Sequence, residues 1–189
     1  MRREPFWGEA GLSGFHPELF LVEILLRPLT PDDAPRLAEL ANNFNIWKFI
    51  RDHLPHPYHL SDAERFIQHY SPNSTNPLRR AIHLDGAGFC GMIGLHPGSD
   101  VNRFTAEIGY WIGEPYWGRG IASAAVGQMV DLGFTKLDIE RIYAGVYSNN
   151  PASMRVLERN GFQFEGISRR AVFKNGEFLD EHRFGRLRA

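Results

Sequence analysis

The chain has 189 residues with a formal net charge of −1, and 43% of its residues are hydrophobic. This size allows one domain with a buried core, and the near-zero charge gives no general reason to expect nucleic acid or an anionic membrane as a partner. The one cysteine, Cys90, excludes an internal disulfide. No apolar signal core follows Met1-Arg2-Arg3 and no stretch is apolar enough to span a membrane, so we expect a cytoplasmic protein.

The N-terminal part predicts an extension, a strand and two helices. Residues 1–18 are rich in glycine and proline and lack periodicity, so we assign them to an extension and residues 19–189 to one domain. An apolar run at 20–26 predicts the first strand. Thr30-Pro31-Asp32-Asp33 predicts the start of one helix, and Ser61-Asp62-Ala63-Glu64 is a capping box for the next helix.

The rest of the chain predicts strands interrupted by two helices and ending in a hairpin. The predicted strands share apolar or β-branched runs and lie at 80–84, 89–95, 103–112, 141–147, 168–173 and 178–184. One helix follows a glycine-rich segment at 117–122, Asn150-Pro151 opens another, and Asn175-Gly176 forms the hairpin turn. This order predicts an α/β fold of the α+β type, in which helices flank a central, mostly antiparallel sheet.

A glycine-rich loop follows a strand that carries an acid, and the loop opens a helix. The loop is Trp117-Gly118-Arg119-Gly120-Ile121-Ala122, and the strand before it holds Glu107 in an otherwise apolar run. The glycines permit a tight turn, and the N–H groups at a helix start point towards an anion such as a phosphate. The alternative is a tight turn that binds no ligand.

Two common phosphate motifs do not fit this loop. A P-loop needs Gly-Lys followed by Ser or Thr, whereas Gly120 is followed by Ile121. A dinucleotide fingerprint needs a third glycine where Ser123 stands, and an acid after the next strand, whereas Glu140 precedes that strand. A nucleotide-binding α/β domain is kept as an alternative.

The loop resembles the acyl-CoA pyrophosphate loop of the Gcn5-related N-acetyltransferase (GNAT) superfamily, whose pattern is Arg/Gln-x-x-Gly-x-Gly/Ala. Trp117 replaces the usual Arg or Gln, whereas Gly120 and Ala122 fit the pattern. The wider chain is similar to the RimJ/RimL branch, which contains ribosomal-protein N-terminal acetyltransferases. The segments that carry this likeness are Leu26-Arg27-Pro28-Leu29, 109–122, Asn150-Pro151-Ala152-Ser153 and 157–162.

The resemblance implies a single GNAT-like domain whose sheet parts at an acyl-CoA site. The strand at 107–112 would part from its neighbour, and the acetyl group would lie between the two strands. Asn150 would contact the pantetheine arm. The other implied acetyl-CoA contacts are Tyr110, Trp111 and Ile112 for the arm, and Gly118, Arg119, Gly120, Ile121, Ala122 and Ser123 for the pyrophosphate.

Glu107 is the candidate general base, because an amine must be neutral to accept an acetyl group. Its neighbours Ile108, Tyr110 and Ile112 suggest a half-apolar setting that suits a base, and the resemblance implies a base at this position. The alternative is an acid that faces solvent on a half-buried strand.

The general acid is less evident. Many members of the superfamily have a tyrosine at the position of Leu157, so that acid is absent here. The resemblance to the RimJ/RimL branch implies Ser153 instead, although a serine at this helical position also bonds backbone. Tyr110 and Tyr147 are fallback donors, with packing as the alternative role of both.

We expect the N-terminal helices to select the acceptor. The aromatic segment 43–49 either lines a groove or forms the core of a short helix. His53, His56 and His59 are spaced three residues apart, but the prolines between them exclude a helix that would place the rings on one face. We therefore predict no metal site and favour an acceptor-facing loop.

These observations predict an N-acetyltransferase that moves an acetyl group from acetyl-CoA to a primary amine by direct attack with help from a general base. The acceptor would be a protein N-terminal α-amine, for example that of a ribosomal protein, or a small-molecule amine. The alternative is an acyl-CoA-binding sensor or scaffold without turnover. We predict acetyl-CoA as co-substrate, no metal, no nucleic-acid or membrane partner, and a monomer or homodimer.

Overall fold

Among the residues that the structure describes, seven strands form a central sheet, and their apolar faces explain where the helices pack. The computed structural model describes residues 22–69 and 78–188, so the predicted extension at 1–18 and the start of the strand predicted at 20–26 lie outside the described residues. The strands are β1 (Ile24–Arg27), β2 (Arg79–Leu84), β3 (Gly88–Pro97), β4 (Thr105–Ile112), β5 (Arg141–Tyr147), β6 (Gln163–Lys174) and β7 (Glu177–Leu187).

Over 22–69 and 78–188, five α-helices flank this sheet and three single turns of 3-10 helix connect elements. The α-helices are α1 (Ala34–Ala41), α2 (Phe44–Trp47), α3 (Leu60–His69), α4 (Ile121–Lys136) and α5 (Pro151–Arg159). The 3-10 turns are Pro31–Asp33, Asp100–Asn102 and Glu114–Tyr116. In the part of the chain that the structure describes, no helix has both the length and the apolar character of a membrane-spanning segment.

The sheet order is β1-β2-β3-β4-β5-β7-β6, and every neighbouring pair is antiparallel except β4 and β5. The parallel pair is joined only over Thr105–Glu107 and Arg141–Tyr143. Beyond Glu107 and Tyr143 the two strands part, although β4 continues to Ile112 and β5 to Tyr147. The structure therefore confirms the predicted mostly antiparallel sheet flanked by helices, with an opening inside the sheet.

Helix α4 packs on the sheet through one apolar face. Its buried residues are Ile121, Ala125, Val126, Met129, Val130 and Gly133, which follow the helical period. Gly133 permits close approach, since a Cβ there would lie 2.4 Å from Leu95 Cδ1 on β3. This packing fixes the start of α4 beside the opening between β4 and β5.

Two predicted boundaries are wrong for identifiable reasons. The capping box at Ser61 is not formed, because α3 already begins at Leu60 and the carboxylate of Asp62 accepts the backbone N–H of His59 at 2.9 Å. The strand predicted from residue 168 begins at Gln163, because pairing with β7 extends as far as Gly185. In both cases a contact that a local pattern cannot show decides the boundary.

Gly91 provides a test of the close pairing between β3 and β4. A Cβ there would lie 2.3 Å from the carbonyl oxygen of Trp111, so the Gly91→Ala variant requires a shift of backbone. We expect a loss of about 2 kcal/mol in the free energy of unfolding, or roughly 4–8 °C in Tm. The matched control is Gly109→Ala on the adjacent strand, where a Cβ meets nothing within 4 Å. Equal Tm values for the two variants in calorimetry would contradict this account.

Candidate active site

A cavity of about 830 Å³ occupies the opening where β4 and β5 part. All the residues that the sequence singled out as catalytic or cofactor-binding line it. They are Glu107, Tyr110, Trp111, Ile112, Gly118, Arg119, Gly120, Ile121, Ala122, Ser123, Asn150 and Ser153. The structure thus brings together residues that are spread over 47 positions of sequence (107 to 153).

The glycine-rich loop has the backbone that its sequence predicts. Gly118 and Gly120 have φ values of +75° and +77°, in the region where a side chain is strained. Gly120 is also the N-cap of α4. The first backbone N–H of α4 that has a partner inside the helix is that of Ala124, which donates to the Gly120 carbonyl oxygen at 3.1 Å. The preceding N–H groups have no partner within the helix, as an anion site requires.

Trp117 closes this loop onto β4. Its indole Nε1 donates to the carbonyl oxygen of Ile112 at 2.6 Å, while 44% of the residue is exposed. In the sequence, Trp117 stands where the family pattern has Arg or Gln. The structure gives it a local role that the pattern does not reveal, because its side chain holds the loop against the end of the parted strand.

The start of α4 is also tied to the end of α5. Asn160 donates from Nδ2 to the hydroxyl of Ser123 at 3.2 Å and to the carbonyl of Val156 at 2.8 Å. Arg155 and Arg159 on α5 line the cavity together with Arg119 of the loop. The loop end of the cavity therefore combines N–H donors with cationic side chains.

Tyr110 and Ser153 form a hydroxyl pair across the opening. Their hydroxyl oxygens are 2.9 Å apart, and the backbone N–H of Ser153 donates to Asn150 Oδ1 at 3.2 Å. The capping bond thus uses the Ser153 backbone and leaves its hydroxyl to meet Tyr110. Burial raises the pKa of Tyr110 to about 12, so this phenol keeps its proton at neutral pH.

Glu107 lies at the last pair before β4 and β5 separate. Its carboxylate forms an ion pair with Arg51, which also lines the cavity. The side chain of Glu107 is only 19% exposed, but it has a cationic partner that its apolar neighbours in sequence did not indicate. Side chains alternate along a strand, so Ile108, Tyr110 and Ile112 project from the opposite face of β4.

His96 is a cavity residue that sequence reasoning missed. It is the partner of Glu107 in the β3–β4 register, and Arg79 Nη2 lies 3.2 Å from its Nδ1. Burial and the positive charge of Arg79 lower the pKa of His96 to about 4. The signal that would have found it is the strand register, which requires the turn between the two strands to be placed correctly.

The three histidines after α2 do not act as one group. His53 lines the cavity, and burial together with the charge of Arg79 lowers its pKa. His56 stacks on Trp47 with ring centroids 5.6 Å apart, and His59 precedes α3. Over 22–69 and 78–188 no group of three or more His, Cys, Asp or Glu side chains is arranged to hold a metal ion.

The segment 43–49 has both predicted roles, because part of it lies in the core and part of it lines the cavity. Ile46 is buried in the core and Phe49 lines the cavity. Trp47 lies beneath Lys174, whose Nζ is 3.6 Å from the ring centroid and 2.5 Å from Asp52 Oδ1. Because the Lys174 side chain is only 2% exposed, the β6–β7 hairpin is firmly docked on the residues that follow α2.

The imidazole of His96 predicts an acid-sensitive contribution to stability. Its folded-state pKa of about 4 lies below the ordinary value of 6.5, so between these pH values the unfolded chain binds a proton that the folded chain does not. The stability present above pH 6.5 is therefore lost as the pH falls towards 4. We expect the Tm of the wild type to fall roughly 2–5 °C further than that of His96→Gln between pH 7.5 and pH 5.0.

Gln is a suitable replacement because its amide does not titrate. His53 and His83 also have lowered pKa values, but they are common to both proteins and cancel in the difference. Parallel Tm curves for wild type and variant would show that His96 does not contribute in this way.

Comparison with known proteins agrees with this architecture. Residues 23–163 match the family model described as an acetyltransferase (GNAT) domain. YdaF, a candidate ribosomal N-acetyltransferase of Bacillus subtilis (strain 168), is 34% identical over 167 residues, which cover 83% of this chain and 87% of YdaF.

Solved structures share the fold over most of the chain. Spermidine N-acetyltransferase from Vibrio cholerae, in complex with CoA and spermine, has a TM-score of 0.71 and 26% identity, covering 87% of this chain and 95% of that one. Mycobacterium smegmatis RimJ, in complex with CoA-disulfide, has a TM-score of 0.74 and 24% identity, covering 87% and 81%. The family model and YdaF confirm the resemblance to the GNAT superfamily, and RimJ is among the proteins that share its fold. The chain belongs to the GNAT acetyltransferase family and is an acetyl-CoA-dependent N-acetyltransferase.

Proposed function

We propose that this protein acetylates a primary amine by direct attack on acetyl-CoA, with Glu107 as general base. The observation that carries the proposal is the opening between β4 and β5, around which Glu107, the Tyr110–Ser153 pair and the glycine-rich loop share one cavity. A base, a hydroxyl donor and an anion cradle are the groups that this transfer needs from a protein.

The glycine-rich loop fits the pyrophosphate of acetyl-CoA. The backbone N–H groups of 118–123 would hold it, and the positive φ values of Gly118 and Gly120 orient this backbone. Arg119, Arg155 and Arg159 add positive charge at the cavity wall. When bound, acetyl-CoA supplies the activated acetyl group.

The parted edge of β4 would bind the pantetheine arm. Beyond Glu107 this strand no longer pairs with β5, so the strand edge that runs past Tyr110, Trp111 and Ile112 on the side away from β3 is open to an extended chain with amide groups. Asn150 stands at the start of α5 on the cavity wall, where its side-chain amide would meet the arm.

Glu107 would take the proton that the ammonium group of the acceptor must lose. The nitrogen lone pair then forms the C–N bond while the C–S bond breaks, and the sulfur leaves as a thiolate. The nitrogen loses its second proton to give the neutral amide, and this proton balances the one that the thiolate takes up. Ser153 would donate the hydrogen bond to this thiolate, with the phenol of Tyr110 2.9 Å behind it as the proton source. Leu157 has no such role, because it is a fully buried core residue.

The acceptor class we favour is a cationic amine, either a protein N-terminus or a small amine. Two carboxylates, those of Glu107 and Glu181, line the cavity and are largely buried. Relatives named for both acceptor classes support this range, since YdaF is named for ribosomal acetylation and the Vibrio cholerae relative for spermidine.

Glu107→Gln tests the role of the base directly. We expect kcat/KM to fall roughly 10²- to 10⁴-fold, because an amide cannot accept the proton, while affinity for CoA is retained. The measurements are release of free thiol with a panel of peptides and amines, and calorimetric titration with CoA. Glu165→Gln is a matched control, since Glu165 pairs with Arg141 and does not line the cavity.

Two outcomes contradict this proposal. The first is a Glu107→Gln variant with the wild-type rate. The second is tight CoA binding by the wild type with no thiol release on any acceptor, which would favour the sensor or scaffold.

Ser153→Ala and Tyr110→Phe test the hydroxyl pair. Each change removes one hydroxyl and retains the backbone bond from Ser153 to Asn150, so we expect the fold to persist and kcat to fall about tenfold or more. Because the two hydroxyls act as a unit, we expect the kcat of the double variant to be no lower than that of the slower single variant. The measurement is kcat at saturating substrate for all three variants, and an unchanged kcat for Ser153→Ala would show that its hydroxyl takes no part in the reaction.

A further inference from the structure

We propose that Arg51 is a specificity-determining residue that holds the carboxylate of Glu107 until the ammonium group of an acceptor displaces it. In this role Arg51 prevents Glu107 from activating water, and so protects acetyl-CoA from hydrolysis when no acceptor is bound. The inference rests on the proposed role of Glu107 as general base.

The first supporting observation is the asymmetry of the ion pair. The side chain of Glu107 is 19% exposed, whereas that of its partner Arg51 is 61% exposed. The guanidinium therefore covers a largely buried carboxylate from the solvent side. An incoming cation has to take the same carboxylate, so it competes with Arg51 for it.

The second observation is that the backbone around Arg51 is anchored independently of Glu107. The next residue, Asp52, pairs with the buried Lys174 at 2.5 Å. The cap of α2 is held by Glu114, which accepts from Asn43 at 2.6 Å and from Asn45 at 3.0 Å. Displacement of the guanidinium thus requires rotation of one long side chain and leaves the segment in place.

The third observation is the position of this cation among the cavity groups. The charge of Arg51 contributes to the lowered pKa values of His53 and His96. Burial raises the pKa values of Tyr143 and Tyr147, and the charge of Arg51 acts in the lowering direction on both. Arg51 is therefore within electrostatic reach of all four side chains, at the end of the cavity where Glu107 lies.

The reaction that Arg51 would suppress is simple hydrolysis. Water would lose a proton to Glu107 and attack the thioester carbon, the C–S bond would break, and acetate and the thiol form of CoA would leave. The guanidinium of Arg51 donates to Glu107 Oε1 and covers the carboxylate, so a water molecule cannot reach that oxygen to pass its proton on. An acceptor brings its own cation to replace Arg51, whereas water brings none.

Arg51→Gln separates this role from simple acceptor binding. We expect acceptor-free thiol release from acetyl-CoA to rise about tenfold, because the base is no longer neutralised. We also expect the KM of a cationic amine to fall roughly threefold, because a competing cation is removed. Spermidine and a peptide with a free α-amine serve as acceptor probes.

Two control variants define the result. Arg51→Lys keeps a cation and is expected to keep hydrolysis low. Arg65→Gln removes an arginine that pairs with Asp62 on α3, away from the cavity, and is expected to behave as the wild type in both assays.

The double variant Arg51→Gln/Glu107→Gln distinguishes failure of this inference from failure of the proposed function. Loss of the added hydrolysis in the double variant supports both. Unchanged hydrolysis in Arg51→Gln, or a raised KM for the amine probes, overturns the inference while leaving Glu107 as base. Hydrolysis that persists in the double variant overturns both, because the activating group is then not Glu107.

Discussion

The parting of β4 from β5 is the constraint on which the rest of the site depends. Each strand keeps one antiparallel neighbour along its length, β3 for β4 and β7 for β5, and the two share only three residue pairs. The sheet therefore stays continuous through 105–107 and opens beyond it. Buried backbone groups require partners, so an opening of this kind is stable in a folded protein only if solvent or a ligand satisfies the exposed edges. An extended ligand with amide groups satisfies this requirement.

The same opening explains why the catalytic and binding groups come from distant parts of the chain. The loop and α4 follow β4, whereas α5 follows β5, so the two helices begin on either side of the opening. The contact of Asn160 with Ser123 then joins the end of α5 to the start of α4. As a result Arg119, Arg155 and Arg159 lie near the loop, while Glu107 lies with its partner Arg51 where the strands separate. This distribution of charge suits a polyanionic co-substrate at one end and a cationic acceptor at the other.

Local sequence patterns predicted the backbone of the glycine-rich loop and the start of α5, because both are encoded locally. The positive φ values of Gly118 and Gly120, and the capping of α5 by Asn150, depend on residues within a few positions of each other. The acceptor side is different. Arg51 lies 56 positions from Glu107 in the sequence, and His96 reaches Glu107 only through the strand register. No periodicity in the sequence indicates either contact, so the cation beside Glu107 could not be predicted from the apolar neighbours of that residue.

Glu114 connects the two sides of the site, which are the glycine-rich loop and the segment that carries Arg51. It stands in the 3-10 turn directly before the glycine-rich loop, and its carboxylate accepts hydrogen bonds from Asn43 and Asn45 at the start of α2. The carboxylate of Glu114 therefore connects the loop that would hold the pyrophosphate to the segment that carries Arg51. Because Asp52 and Lys174 fix the other end of that segment, its backbone is held at two points while its side chains remain free to vary. On the proposed function, we therefore expect new side chains between these two anchors to change the acceptor while the geometry of the co-substrate loop stays the same.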